Sequence, residues 1–122
     1  MNKCACKGAF LDKLIQPTIL ALVGQTPMHG FSLLKEMQTM RICGCGEIDP
    51  TGLYRTLKKM ELAGLLTSHW DTSNTSMPPR RIYSITLDGL ECLSHWKATL
   101  TDYRRSIDEL VDRIAGTLEQ RP

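Results

Sequence analysis

The sequence predicts a mainly α-helical α+β fold, in which three short helices precede a β-hairpin and a long C-terminal helix. Apolar residues recur at helical spacing in three segments of the first half of the chain. An alternating apolar and polar segment follows near residue 82, and a near-heptad apolar pattern runs through residues 93–118. The length of 122 residues and the apolar content of 42% suit one domain with a packed core.

The first helix is predicted in the segment 10–23, where apolar residues keep helical spacing. Its main part is expected to begin near Pro17, because proline is favoured in a first helical turn. Gly24 and Pro27 then end the helix.

The second helix is predicted over about residues 29–40, where Phe31, Leu34 and Met37 form one stripe that we expect to be buried. The segment 41–48 follows, with glycines and cysteines alternating at positions 43–46. This composition does not continue a helix comfortably, so we expect a loop before the third helix.

The third helix has clear start and stop signals. Asp49 is a good N-cap, Pro50 suits the first helical position, and Gly64 stands where helix C-termini favour glycine. Its apolar residues are Leu53, Leu57, Met60 and Leu62.

The segments 65–70 and 81–86 are predicted to be two strands, and the second of them alternates well between its two faces. The connecting segment 71–80 is rich in Thr, Ser, Asn and Pro, so we expect an exposed hairpin tip. Three helices followed by a two-stranded hairpin is the order of a winged helix-turn-helix.

The last helix, the fourth and therefore numbered α4, is predicted from about Asp88 to Leu118, with Thr86 as its N-cap and a length of about 45 Å. Eight apolar residues follow one another at steps of three and four: Leu93, Trp96, Leu100, Tyr103, Ile107, Leu110, Ile114 and Leu118. A core of this size does not bury the whole row, which we call the α4 seam. Each large apolar side chain left exposed to water loses about 1.5–3 kcal/mol of burial free energy. The seam therefore predicts a homodimer.

The chain is accordingly divided into three parts. Residues 1–9 are expected to be a flexible segment that contains cysteines, residues 10–87 a DNA-binding domain, and residues 88–122 a dimerisation helix.

The net charge of +2 identifies no partner by itself, and only the distribution of charge along the chain is informative. Residues 50–81 carry five cations and two anions, which gives +3, whereas residues 88–122 carry five cations and seven anions, which gives −2.

The third helix offers groups that suit a major groove, and the hairpin adds two cations near its tip. The candidate DNA-binding residues are Thr51, Tyr54, Arg55, Lys58, Lys59, Arg80 and Arg81. Two other interpretations are open at this point: a basic helix face is often only solvated, and Tyr54 could be a half-buried core residue with a wet hydroxyl.

Four separated motifs resemble the PadR family of bacterial transcriptional regulators. They lie at residues 28–31 (Met-His-Gly-Phe), 50–57, 61–66 and 79–89. The resemblance implies a homodimeric winged helix-turn-helix repressor that binds double-stranded DNA at a pseudo-palindromic operator. It also implies small aromatic or drug-like effectors, for which Trp96, Phe10 and Tyr103 are candidate contacts. One departure is local, since the family's usual Pro-Gly-Thr order is here Pro50-Thr51-Gly52.

Four of the five cysteines fall in two Cys-x-Cys pairs, Cys4 with Cys6 and Cys43 with Cys45. Four thiolates could close a tetrahedral Zn²⁺ site, and the pairs could equally form disulfides or remain reduced surface thiols. No cofactor is required for the predicted function. Cys92, on the last helix, is expected to be a packing residue.

Other classes of protein are less compatible with this sequence. No nucleophile motif or metal-ligand spacing accompanies the three histidines, so we do not expect an enzyme. No stretch reads as a transmembrane helix or a signal peptide, so a cytoplasmic protein without a membrane partner is expected. The alternatives to a DNA-binding regulator are a dimeric protein-binding adaptor and a thiolate metal-binding protein.

Overall fold

A computed structural model describes residues 14–40 and 48–121 of the chain. Within these ranges the elements are α1 (Ile15–Gln25), β1 (Met28–His29), α2 (Gly30–Thr39), α3 (Pro50–Leu62), β2 (Leu66–Asp71), β3 (Arg80–Ile85) and α4 (Leu87–Glu119). All four predicted helices and the predicted hairpin are present, and Pro17 lies in the first turn of α1.

The core lies where the three short helices meet the sheet. Its buried apolar side chains are Ile19, Leu20, Val23, Leu33, Leu34, Met37, Leu53, Leu57, Met60, Leu66 and Tyr83. Each helix contributes one face to this core, as its apolar spacing predicts. The opposite face of α3 is thereby left to solvent.

The N-terminus of α3 is fixed by Asp49. Its side chain accepts a hydrogen bond of 2.6 Å from the backbone N–H of Gly52, and Pro50 occupies the first helical position. A Cβ at position 52 would lie 2.8 Å from Asp49 Oδ1, so glycine leaves room for the cap. The chain leaves α3 through Gly64, whose φ of +81° favours glycine.

The sheet has three strands, in the order β1-β3-β2, whereas the sequence predicted only the two strands of the hairpin. β1 pairs antiparallel with β3, so that Met28 faces Tyr83 and His29 faces Ile82. Two residues are too few to show a period, which is why the sequence pattern missed β1. β1 thus connects the start of α2 to the hairpin.

The hairpin continues directly into α4 through Thr86. The Thr86 hydroxyl accepts a hydrogen bond from the Gly89 N–H and donates one of 2.6 Å to the Gly64 carbonyl oxygen. Gly89 is buried, and a Cβ there would overlap the carbonyl oxygen of Leu65. The first turns of α4 are thus held closely against the α3–β2 turn.

Phe31, which was predicted to lie on the buried stripe of α2, is instead exposed, and so is the apolar residue Leu62 at the end of α3. Phe31 is 54% exposed, because Leu33 and Leu34 occupy the core side of α2. Leu62 is 80% exposed, because it lies two residues after the buried Met60 and so turns away from the stripe. In the part of the chain that the structure describes, no helix is long and apolar enough to cross a membrane.

Candidate nucleic-acid interface

The outer face of α3 carries the exposed polar and basic side chains. Thr51, Arg55, Lys58 and Lys59 are all exposed, on the side of the helix away from its three buried residues. The structure therefore brings together the cations that the sequence placed on one helical turn. A face of this kind offers charged donors to a phosphate-lined groove.

Tyr54 is half-buried at the edge of this face. Its ring lies over Gly30 at the start of α2, and 44% of the residue is exposed. The aromatic ring therefore packs within the domain while part of the residue remains accessible. Tyr54 is not part of the buried core cluster and lies at the surface of the interface.

A groove of about 700 Å³ runs between α3, the hairpin and the start of α2, and we call it the α3–hairpin groove. It is lined by His29, Gly30, Phe31, Tyr54, Lys58, Glu61, Leu62, Trp70, Pro79, Arg80, Arg81 and Tyr83. Three cations and one carboxylate line it, so the groove has a positive formal charge. Burial raises the pKa of the Tyr83 phenol, which stays uncharged at neutral pH.

Arg80 and Arg81 are both in the groove lining, but as neighbours on one strand they point to opposite faces of the sheet. The Arg80 Nη2 atom lies 3.3 Å from the sulfur of Met77 in the hairpin connection. Arg81 is directed to α3, where its Nη1 lies 3.8 Å from Glu61 Oε1. The two arginines that the sequence treated alike therefore have different surroundings.

Two exposed aromatic residues belong to the same surface and were not among the predicted site residues. Phe31 lies with its ring centroid 5.2 Å from Lys35 Nζ, and Trp70 lies with its ring centroid 4.7 Å from the Arg81 guanidinium carbon. The alternation of β2 could have indicated Trp70, whereas nothing in the period of α2 singles out Phe31.

The loop end of β2 is joined to β1 by a polar contact between His29 and Asp71, whose Nε2 and Oδ2 atoms are 3.1 Å apart. Asp71 also accepts hydrogen bonds from the side chain and backbone N–H of Ser73. The Ser73 bonds, and after them His29, lower the pKa of Asp71 from 3.8 to about 2. Asp71 is therefore ionised at any pH where the protein meets nucleic acid.

The predicted α4 seam is split between two environments. Leu93 and Trp96 are partly buried and pack against the chain's own core, and Trp96 Nε1 donates a hydrogen bond of 2.9 Å to Gln16 Oε1 on α1. The C-terminal members are 48–65% exposed: Tyr103, Ile107, Leu110, Ile114 and Leu118. Leu100 lies between the two groups and is partly buried.

A second groove, of about 610 Å³, lies between α1 and α4, and we call it the α1–α4 groove. Its lining is almost entirely apolar and includes Leu14, Leu22, Leu93, Trp96 and Leu100. Of the predicted effector contacts, Trp96 is in this lining, Tyr103 lies beyond it, and Phe10 is outside the described residues.

The predicted thiolate ligands Cys4, Cys6, Cys43 and Cys45, like the segment 1–9, lie outside the described residues. Among the residues that are described, no group of three or more His, Cys, Asp or Glu side chains could hold a metal ion. Cys92 has a free thiol and packs against the core, in line with its predicted packing role.

Comparison with known proteins assigns residues 19–95 to the transcriptional regulator PadR-like family. No functionally curated protein matches the chain. Among solved structures, a conserved protein of unknown function, described as a potential transcriptional factor, is 33% identical, covers 98% of this chain and 99% of its own, and has a TM-score of 0.74.

Two regulators of known family have the same fold. A PadR-like transcriptional regulator from Bacillus cereus strain ATCC 14579 is 22% identical over 84% of this chain and 95% of its own, with a TM-score of 0.73. A PadR family transcriptional regulator from Eggerthella lenta DSM 2243 is 25% identical over 84% of this chain and 85% of its own, with a TM-score of 0.70. These likenesses confirm the predicted α+β winged-helix fold. The family match identifies a transcriptional regulator, as predicted. The chain belongs to the PadR-like family of transcriptional regulators.

Proposed function

We propose that this regulator is a repressor that binds double-stranded DNA as a homodimer. The observation that carries the proposal is the exposed row of Arg55, Lys58 and Lys59 on α3, beside the positively charged α3–hairpin groove. In this arrangement α3 enters the major groove, and Thr51 and Tyr54 lie in its N-terminal part. The hairpin that carries Arg80 and Arg81 lies beside the adjacent sugar–phosphate backbone, where Arg80 supplies a phosphate contact.

The dimer is supported by the exposed part of the α4 seam. Five large apolar side chains in succession remain half-exposed on one side of a helix of 33 residues. A second copy of α4 covers them and removes apolar surface from water on both chains. A twofold pair would present two α3 helices about 34 Å apart, on successive major grooves of a pseudo-palindrome.

DNA binding is tested by fluorescence anisotropy with a labelled duplex from the gene's own upstream region. Affinity should fall steeply with salt, because each phosphate contact contributes a slope of about 0.9 in a plot of log K against log salt. Lys58→Ala should weaken binding, whereas Arg104→Ala, which removes an exposed cation from α4, is the matched control. A protein-binding adaptor would show no salt-dependent binding, and both variants would then behave alike.

A ligand response is supported by the α1–α4 groove. Its apolar lining, its volume of about 610 Å³ and the partly buried Trp96 suit a small planar aromatic effector. Binding there would couple to the spacing of the two α3 helices through α4. In a Trp70→Phe variant only Trp96 reports, so unchanged fluorescence across a panel of planar aromatic compounds would exclude this site.

The proposed function requires no cofactor, and we expect a PadR-like regulator that binds double-stranded DNA to act in the cytoplasm. Zn²⁺ binding by the four paired cysteines stays a prediction. Metal analysis of protein purified without chelator, beside a Cys43→Ser variant, tests it. Equal, metal-free results for both proteins would exclude a zinc site and leave disulfides or free thiols.

A further inference from the structure

Arg81 takes part in a set of contacts that join α3 to the hairpin. Its guanidinium lies 3.8 Å from Glu61 Oε1 on α3 and stacks on Trp70 of β2 at 4.7 Å from the ring centroid. The other carboxylate oxygen of Glu61 accepts a hydrogen bond of 2.7 Å from the Ser68 hydroxyl. Four side chains from three elements thus form one connected network, which we call the α3–hairpin clamp.

The strand register fixes the geometry of this clamp. Trp70 and Arg81 are direct partners on β2 and β3, and Ser68 faces the buried Tyr83 two residues along. Partners across an antiparallel pair share a face of the sheet, so this face turns the guanidinium and the hydroxyl to Glu61. Arg80 points to the other face and contacts Met77 instead.

We propose that Arg81 is a positioning residue, which sets the separation of α3 and the hairpin through Glu61 and Trp70 rather than by contacting a phosphate. This inference rests on the proposed DNA-binding function and deepens it. A carboxylate at a DNA-binding surface repels phosphates, so Glu61 weakens binding unless it organises the surface. Its two contacts, to the hairpin residues Ser68 and Arg81, supply that role.

The decisive variant is Glu61→Gln, because a carboxylate that only repels DNA and one that organises the surface predict opposite changes in DNA affinity. The glutamine keeps an oxygen that can accept from Ser68 but loses the charge that holds Arg81. If Glu61 only repels DNA, its neutralisation raises the affinity. The clamp predicts a loss of about twofold to fivefold instead, as expected for one half-exposed ion pair. An affinity that is raised or unchanged would overturn the proposal.

Arg81→Lys provides a second, independent measurement. Lysine keeps the positive charge that a phosphate contact needs, but it lacks the planar group that stacks on Trp70. The clamp predicts that Arg81→Ala and Arg81→Lys both weaken DNA binding and that both leave the salt slope unchanged. Arg80→Lys, at a residue outside the clamp, is the control. A fall in the Arg81→Ala slope by about 0.9 would identify a direct phosphate contact and refute the clamp.

A readout without DNA separates this inference from the proposed function. In a Trp96→Phe background, Trp70 is the remaining tryptophan, and Glu61→Gln should change its emission because the guanidinium is no longer held over the ring. Unchanged emission would overturn the clamp. Should the wild type bind no DNA at all, the proposed function fails, and the emission alone decides whether the contact network exists.

Discussion

The ring of Tyr54 lies directly over Gly30, so that a Cβ at position 30 would stand 2.5 Å from Cε1 and 2.8 Å from the hydroxyl oxygen of the tyrosine. Gly30 is the first residue of α2, and Tyr54 lies in the second turn of α3. The close approach of these two residues locks the two helices together at the edge of the proposed interface. It also defines the orientation in which Tyr54 is presented.

Gly30→Ala should therefore displace the Tyr54 ring, because keeping the overpacked contact would cost about 1–3 kcal/mol, and should weaken DNA binding. The measurement is anisotropy with the upstream duplex. In a Tyr54→Ala background Gly30→Ala should have little further effect on DNA affinity, because the tyrosine ring atoms that the new methyl group would overlap are absent. Equal losses in both backgrounds would mean that Gly30 acts independently of Tyr54.

Gly89→Ala should destabilise the protein by about 1–3 kcal/mol, because the new methyl group overlaps the Leu65 carbonyl oxygen and the Ile85 side chain. Urea denaturation followed by circular dichroism measures the change. Gly116→Ala is the matched control: nothing lies within 4 Å of a Cβ there. That variant should gain about 0.5–1 kcal/mol from helix propensity. A Gly89→Ala protein as stable as Gly116→Ala would contradict the packing described.

Asp49→Ala should lower the free energy of unfolding by about 1 kcal/mol, because the Gly52 N–H loses its acceptor at the start of α3. Asp49→Asn keeps a side-chain oxygen at the same place and should retain most of the stability. Thermal denaturation of the three proteins distinguishes them. A cap that contributes nothing would leave the alanine variant as stable as the asparagine variant.

Asp71 should make stability depend on pH in the acid range. Its pKa is lowered from 3.8 in the unfolded chain to about 2 in the fold by the Ser73 hydrogen bonds and by His29. A depressed pKa means that the contribution is full above pH 3.8 and is lost as the pH falls to about 2. The melting temperature of wild type should fall more steeply across this window than that of Asp71→Asn, and parallel curves would contradict the assignment.

Ile107→Lys should convert the proposed dimer into monomers, since it places a charge in the middle of the exposed apolar row of α4. Light scattering at micromolar concentration gives the mass. Asp112→Asn changes the net charge by the same amount on the opposite side of the helix and should remain a dimer. A wild type that is itself a monomer would remove this part of the proposed function.

The helices were predictable because their signals are local. Asp49 with Pro50, the glycine at position 64 and the Thr86 cap mark element ends by short-range chemistry that the structure reproduces. The exposed cations of α3 followed from the buried positions of its opposite face. The order of the elements then led to the winged-helix fold.

The remaining features depend on tertiary contacts that sequence patterns do not encode. β1 has no period to read, and Phe31 is exposed only because Leu33 and Leu34 occupy the core side of α2. The different surroundings of Arg80 and Arg81 arise from strand alternation combined with the position of Glu61 on another element. The closeness of Gly30 to Tyr54 is likewise a property of how two helices cross.

Thr86 is the single residue between the last strand and α4, and it is hydrogen-bonded to both the helix start and the Gly64 carbonyl. The chain therefore has no slack at this junction that could absorb a tilt of the long helix. We therefore expect a change in the direction of α4 to be passed on to β3 and to shift the hairpin.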